Sequence, residues 1–139
     1  MSLNSYSQSD DFLRANYLFG IGRFTESKAL LLKSLEQKKN VEQKGVIYFQ
    51  LGECERLSLD TINFQYYINC IDYSKKISQH GATRTEKANT LKRIAFSLYY
   101  TENYKYSLDW ITKYLKVVPG NCEAKEFEIK LQNQLNTKG

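Results

Sequence analysis

Few side chains in this chain of 139 residues could carry out acid–base or nucleophilic chemistry. His80 is the only histidine, so a Ser-His-Asp triad, a Cys-His pair or a His-Glu-x-x-His zinc site cannot be assembled in its loop-like surroundings. There is no glycine-rich phosphate-binding loop. The glutamates near Glu53 and Glu123 have spacings typical of solvated helix faces. The sequence therefore predicts a protein that is not an enzyme and that uses no metal or other cofactor.

The cysteines fit no metal-binding or disulfide pattern. Their number is odd, and the spacings of Cys54, Cys70 and Cys122 match no zinc motif. We expect buried or half-buried free thiols in a reducing compartment.

Charge and hydropathy bear on two further classes, nucleic-acid-binding proteins and secreted or membrane proteins. The formal net charge of +5 permits acidic partners, but no lysine or arginine run is longer than two, as nucleic-acid binding would favour. The first eleven residues are polar and unlike a signal peptide. No apolar run approaches the ~20 residues that a membrane helix needs. We expect a soluble chain.

The pattern of secondary structure is clearest between residues 91 and 128. Large apolar residues recur there every three or four positions on both sides of a short turn, which predicts two amphipathic helices. Ala95 and Ser107 are small enough to let the two backbones approach closely. Pro119 ends the second helix, and Asn121 can cap the helix that follows. The apolar stripes are too wide to bury against each other, so the hairpin needs neighbours.

This spacing resembles the tetratricopeptide repeat. Class substitutes occupy the motif positions: Ile94 for leucine, Ala95 for glycine, Leu98 for tyrosine and Ser107 for alanine. The Leu-Gly pair of the motif is intact at Leu51 and Gly52 in an earlier repeat. The resemblance implies an all-α, right-handed superhelix of three helical hairpins with a C-terminal capping helix.

The repeats divide the chain into a short arm and one domain. Asp10 and Asp11 can cap the first helix, and Asp60 and Thr61 the fourth. The turn at 58–63 is about three residues longer than the family turn, and 78–83 is the clearest loop between repeats. We expect a flexible N-terminal arm at 1–9, a tetratricopeptide-like domain at 10–139 with repeats at about 10–37, 42–77 and 84–119, and a cap helix at 121–136.

The resemblance also implies a binding surface, because the first helix of each repeat lines the concave face in this family. Aromatic residues on a wet concave face mark binding sites. The alternative is that some of these residues belong to the core, since the register could slip by one residue. The positions carried over as partner-binding are Phe12, Asn16, Phe19, Phe49, Gln50, Glu53, Asn89, Lys92, Arg93, Phe96, Tyr99 and Tyr100, with Val46 and Arg56 beside them.

One subclass of the family binds chaperone C-terminal carboxylates through a clamp of lysine, asparagine and arginine. At the clamp positions this chain has Phe12, Asn16, Gln50, Asn89 and Arg93. Only Asn16 and Arg93 match, and both lysines are absent. The departures argue against binding of chaperone tails.

The last repeat and the helix after it resemble the tail-anchored mitochondrial fission adaptor family. The matching residues are Tyr104, Ser107, Leu108, Leu115, Pro119 and the stretch 124–128. That family differs in having two repeats, a shorter N-terminal arm and a membrane anchor, whereas this chain stops at Gly139.

Together the resemblances imply an adaptor that binds a peptide or amphipathic helix of another protein in the groove. The sharper hypothesis is recruitment of mitochondrial fission machinery, with the protein in the cytoplasm or on the cytosolic face of the outer mitochondrial membrane. The alternative is a soluble scaffold or co-chaperone subunit without an organelle link. We expect no small-molecule substrate, and membrane attachment only if an anchor follows Gly139. Two further alternatives are single-stranded nucleic acid on the third repeat and a groove filled by the N-terminal arm or by a second copy of the chain.

Overall fold

In a computed structural model the chain forms α-helices joined by short connections. The structure describes the backbone of residues 3–37, 39–58, 64–77 and 83–138, and within these ranges the side chains from Asp11 to Thr137. No strand occurs in these segments, which confirms the all-α class. The helices are α1 (Leu3–Gly20), α2 (Phe24–Leu35), α3 (Val41–Leu57), α4 (Phe64–Ile77), α5 (Arg84–Tyr100), α6 (Tyr104–Val117) and α7 (Cys122–Lys138).

The helix α1 begins earlier than the sequence indicated. It starts at Leu3, so its backbone is helical through most of the stretch 1–9 that was expected to be an arm. That stretch contains neither proline nor glycine, so nothing in it breaks a helix. Asp11 lies inside the helix and is only 4% exposed. Its carboxylate lies 3.7 Å from Lys33 Nζ of α2, and therefore pairs with the neighbouring helix instead of capping its own.

Two other expected features lie outside the described residues. These are the cap formed by Asp60 and Thr61 and the loop at 78–82. The cap at Asn121 is confirmed, since its Oδ1 accepts a hydrogen bond from the Ala124 amide at 3.0 Å. The preceding helix α6 ends at Val117, two residues before Pro119.

Each helix packs mainly against the helices before and after it in sequence. The turns of the first and third hairpins have the same geometry. Gly22 and Glu102 both have positive φ, of 82° and 66°. The residue after each donates to a carbonyl five residues earlier, Arg23 to Leu18 at 2.9 Å and Asn103 to Leu98 at 2.8 Å. The turns of the first and third hairpins therefore share one backbone geometry.

The core runs along the stack as three successive clusters of buried side chains. The first joins α1, α2 and α3, the second joins α4 and α5, and the third joins α5, α6 and α7. Half-buried Trp110 packs against both the second and the third cluster. The buried members are Ala15, Leu31, Ile47, Leu51 and Cys54, then Ile71, Ile94 and Leu98, then Ala88, Ala95, Ile111, Tyr114, Ala124 and Leu131.

A small residue marks the closest approach of the two helices in each hairpin. In the first hairpin the Ser27 hydroxyl donates to the Ala15 carbonyl at 2.7 Å. In the third hairpin Ser107 donates to Ala95, also at 2.7 Å. The second hairpin differs, because the residue that faces Gly52 is the fully buried Tyr67. Tyr67 follows Gly52 by 15 residues, whereas the serine follows the alanine by 12 in the other two hairpins, and Gly52 leaves room for the ring.

No helix in the described segments is long and apolar enough to span a bilayer.

Candidate functional site

A cavity of about 320 Å³ opens between α3, α5 and the first turn of α7. Its lining combines apolar rings with charged side chains. All of the lining residues except Glu123 belong to the set proposed from the sequence. We call this cavity the groove; it is lined by Phe49, Glu53, Asn89, Lys92, Arg93, Phe96, Tyr100 and Glu123.

The structure places the other sequence-proposed residues elsewhere. Phe12 and Phe19 of α1 pack against the first core cluster. Tyr99 packs in the third cluster, with ring centroids 5.2 Å from Phe127 and 5.4 Å from Tyr104. Asn16 and Gln50 are half-buried, and the oxygen of each side-chain amide has no hydrogen-bond partner among the described residues. The groove thus draws on the second and third hairpins and not on α1.

The apolar side of the groove is a set of interlocked rings. Phe96 stacks on Phe127 of α7 with centroids 4.6 Å apart, and on Tyr100 at 6.4 Å. Phe49 meets the buried Tyr67 edge-on at 5.9 Å. Because each ring is held by another, the shape of the groove exists before any ligand binds.

Glu53 is occupied by neighbours within the protein. Its Oε1 accepts hydrogen bonds from the Tyr67 hydroxyl at 2.7 Å and from Arg56 Nε at 3.1 Å. Its Oε2 accepts a further bond from Arg56 Nη2 at 2.7 Å. These bonds raise the pKa of Arg56, whose guanidinium lies 4.3 Å from the ring centroid of Tyr100. Glu53 therefore shapes the wall of the groove instead of presenting a free carboxylate.

Arg93 is the groove cation without a counter-ion. Among the described residues no carboxylate lies within ion-pair distance of its guanidinium, and its buried Nε has no acceptor. Its Nη2 reaches only Thr90 Oγ1, at 3.4 Å. Burial lowers the pKa of Arg93, and electrostatic interactions with Cys70 and Glu42 oppose this shift. The neighbouring Lys92 differs, since its Nζ lies 3.9 Å from Glu123 Oε1.

Cys54, Cys70 and Cys122 do not line the groove, although Cys70 interacts electrostatically with Arg93 and Cys54 with Glu53. Cys54 and Cys70 are buried, and burial raises the pKa of both. Cys122 is exposed at the start of α7, although the sequence indicated a buried or half-buried thiol. Cys122 is the first residue of α7 and follows the exposed turn at Gly120, so its side chain points to solvent. Among the described residues no cluster of three potential metal ligands is present.

Two residues that shape the groove escaped the sequence analysis. Glu123 lies on the capping helix, and only the fold brings that helix beside α5. Tyr67 comes from α4 and shapes the groove through Phe49, which it meets edge-on, and through Glu53, to which its hydroxyl donates a hydrogen bond. The signal for Tyr67 was present in the sequence as the longer turn together with a glycine at position 52.

The buried phenol of Tyr67 predicts a loss of stability at alkaline pH. Burial raises the pKa of Tyr67 well above its ordinary value, so in the folded protein the phenol keeps its proton above pH ~10, where the unfolded chain releases it. The folded state then holds more protons, and the free energy of unfolding falls as pH rises. Urea titrations across this range should show a shallower fall for Tyr67→Phe than for wild type.

The matched control for this experiment is Tyr106→Phe, which removes an exposed hydroxyl. It should leave the alkaline slope of the wild type unchanged. If the free energy of unfolding falls equally steeply with pH in wild type and in Tyr67→Phe, the phenol of Tyr67 is not the cause of the alkaline loss of stability.

Comparison with known proteins gives no relative to place beside this site. A search of protein-family models found none that matches the chain, and a search of curated proteins found no match either.

Proposed function

We propose that the protein is a tetratricopeptide-repeat-like adaptor whose groove binds a segment of another protein. Two observations support the repeat architecture. Consecutive helices form a stack of hairpins, and the first and third hairpins repeat the same serine-to-alanine contact at 2.7 Å. The motif spacing in residues 91–119 supports the right-handed superhelical arrangement in this proposal.

The binding proposal is carried by one observation: the open groove is lined with aromatic rings and contains the half-buried guanidinium of Arg93, which forms no ion pair with any described residue. Exposed apolar rings and an unpaired, partly desolvated charge are both unfavourable in water. A segment with an apolar anchor and a nearby carboxylate would cover Phe49 and Phe96 and neutralise Arg93. The cavity of about 320 Å³ holds one or two side chains of such a segment.

The sharper form of the proposal is recruitment of fission machinery at the mitochondrial surface. It is supported by the resemblance in residues 104–128 alone. A soluble scaffold or co-chaperone subunit has the same groove chemistry without that location. About 20 apolar residues following Gly139 in the natural sequence would favour the mitochondrial form.

Selection of peptides by phage display on the immobilised wild-type protein tests the proposal. Selected peptides should share an aromatic or aliphatic anchor with a nearby Asp or Glu, and they should compete with one another. Arg93→Leu should weaken them by more than about tenfold, since it removes the cation that pairs with their carboxylate. The control Lys125→Leu removes an exposed cation of α7 and should bind them like wild type.

Two results would count against the groove. One is a selection that enriches no sequence. The other is a set of peptides that binds Arg93→Leu and wild type equally well, since they would then occupy another surface.

A further inference from the structure

A second surface, distinct from the groove, lies where Lys75 of α4 reaches Trp110 of α6. Trp110 of α6 is half-buried there, and a lysine lies over its ring from each helix. Lys113 Nζ is 4.1 Å from the ring centroid and Lys75 Nζ is 5.7 Å from it. Both distances fall within the range of cation–π attraction, so the two ammonium groups are held beside the indole.

The same strip is apolar at its other end. On α4, Phe64 and Ile68 precede Lys75 on one side of the helix, and on α6 Tyr106 lies one turn before Trp110. Phe64 is 42% exposed, Ile68 40% and Tyr106 60%. The two helices therefore present large apolar side chains at their N-terminal ends and lysines nearer their C-terminal ends.

The basic end extends across α4 to α3. Lys76 Nζ of α4 lies 4.8 Å from the Tyr73 ring centroid. Lys44 Nζ of α3 lies 5.4 Å from the same centroid. In the described part of the chain, Lys44, Lys76 and Lys113 form no ion pair with a carboxylate. Aromatic rings thus lie beside three ammonium groups that have no ion-pair partner among the described residues.

We propose that this α4–α6 strip docks the protein peripherally on an anionic lipid bilayer. The lysines complement lipid phosphates and carboxylates, and each basic residue near such a surface strengthens binding about fivefold. Trp110 and Tyr106 are the residue types that favour the headgroup level, and Phe64 and Ile68 supply side chains that enter the acyl boundary. The proposal is independent of the groove ligand and of any membrane-spanning segment.

Nucleic acid fits the strip less well. Single-strand binding depends on bases that stack on aromatic faces. Here Lys75 and Lys113 lie over the indole of Trp110, and Lys44 and Lys76 lie over the ring of Tyr73. The exposed aliphatic side chain of Ile68 has no counterpart in phosphate recognition.

Trp110 is the only tryptophan, so its fluorescence reports directly on this strip. The probes are vesicles of phosphatidylcholine alone and of phosphatidylcholine with phosphatidylserine in about a 3:1 ratio. We expect a blue shift, and quenching by brominated lipids, with the anionic vesicles only. Raising the salt should weaken binding, because screening reduces attraction between exposed charges.

Co-sedimentation with the anionic vesicles then compares two charge-matched variants. Lys76→Glu/Lys113→Glu should bind at least about tenfold more weakly than wild type. The control Lys125→Glu/Lys130→Glu changes the net charge equally on α7, where Lys130 also lies over a ring, that of Tyr99, at 5.0 Å. This control should retain most of the binding, and Ile68→Ser should lose part of it. Circular dichroism and thermal melting confirm that each variant is folded.

Several outcomes would overturn the proposal. They are equal binding to both kinds of vesicle, binding to neither, and equal loss in the two charge variants. Quenching of Trp110 by polyuridylate at a salt concentration where anionic vesicles do not bind would assign the strip to nucleic acid. If the wild-type protein binds anionic vesicles but no peptide at the groove, only the proposed function is refuted.

Discussion

Gly52→Ala should lower the free energy of unfolding by about 1–3 kcal/mol, the usual cost of overpacking a core. A Cβ on residue 52 would lie 2.7 Å from the Cε1 and Cζ atoms of Tyr67. Tyr67 is fully buried and its hydroxyl is bonded to Glu53, so the ring cannot move aside cheaply. Gly20→Ala is the control, because a Cβ there meets no heavy atom within 4 Å. Urea unfolding should show little change for the control.

The same contact can be tested by restoring the pattern of the other hairpins. Gly52→Ala combined with Tyr67→Ser recreates the alanine-and-serine pair seen at Ala15 with Ser27. The double variant should be more stable than the sum of the two single effects predicts, since each change relieves the clash or void left by the other. Strict additivity would show that residues 52 and 67 do not compete for the same space.

Phe49→Ala should weaken a groove peptide by more than tenfold, because truncating a buried aromatic anchor typically costs about 2 kcal/mol or more of binding. Fluorescence polarisation with a labelled peptide obtained by the display selection measures this directly. Phe96→Ala should weaken binding as much, but it should also lower the melting temperature, since Phe96 stacks on Phe127 at 4.6 Å. Phe49→Ala is therefore the cleaner test.

The control for this comparison is Phe64→Ala. Phe64 lies on the outer face of α4, the side that also carries Ile68. Its side chain is 42% exposed and does not line the groove. The variant should bind the peptide like wild type. If Phe49→Ala binds normally while Phe64→Ala fails, the peptide binds the outer face and the groove hypothesis is wrong.

The sequence alone determined the helical class and the places where helices meet. Apolar residues repeat every three or four positions because each helix buries one face, and this signal is local. Small residues at Gly52, Ala95 and Ser107 marked close helix contacts, and Asn121 marked the start of α7. Most of the groove residues on α5 were predicted as well, since position on a helix follows directly from spacing.

Only the tertiary structure decided which neighbour each face meets. Periodicity identifies a buried face, but it does not distinguish a face packed in the core from one that lines a groove. Phe12 and Tyr99 lie on predicted faces, yet both pack against core clusters. Glu123 reaches the groove because α7 folds back beside α5, and Tyr67 packs against Phe49 because Gly52 leaves space for its ring. These contacts join residues far apart in sequence, so they depend on how the helices pack and not on the pattern within any one helix.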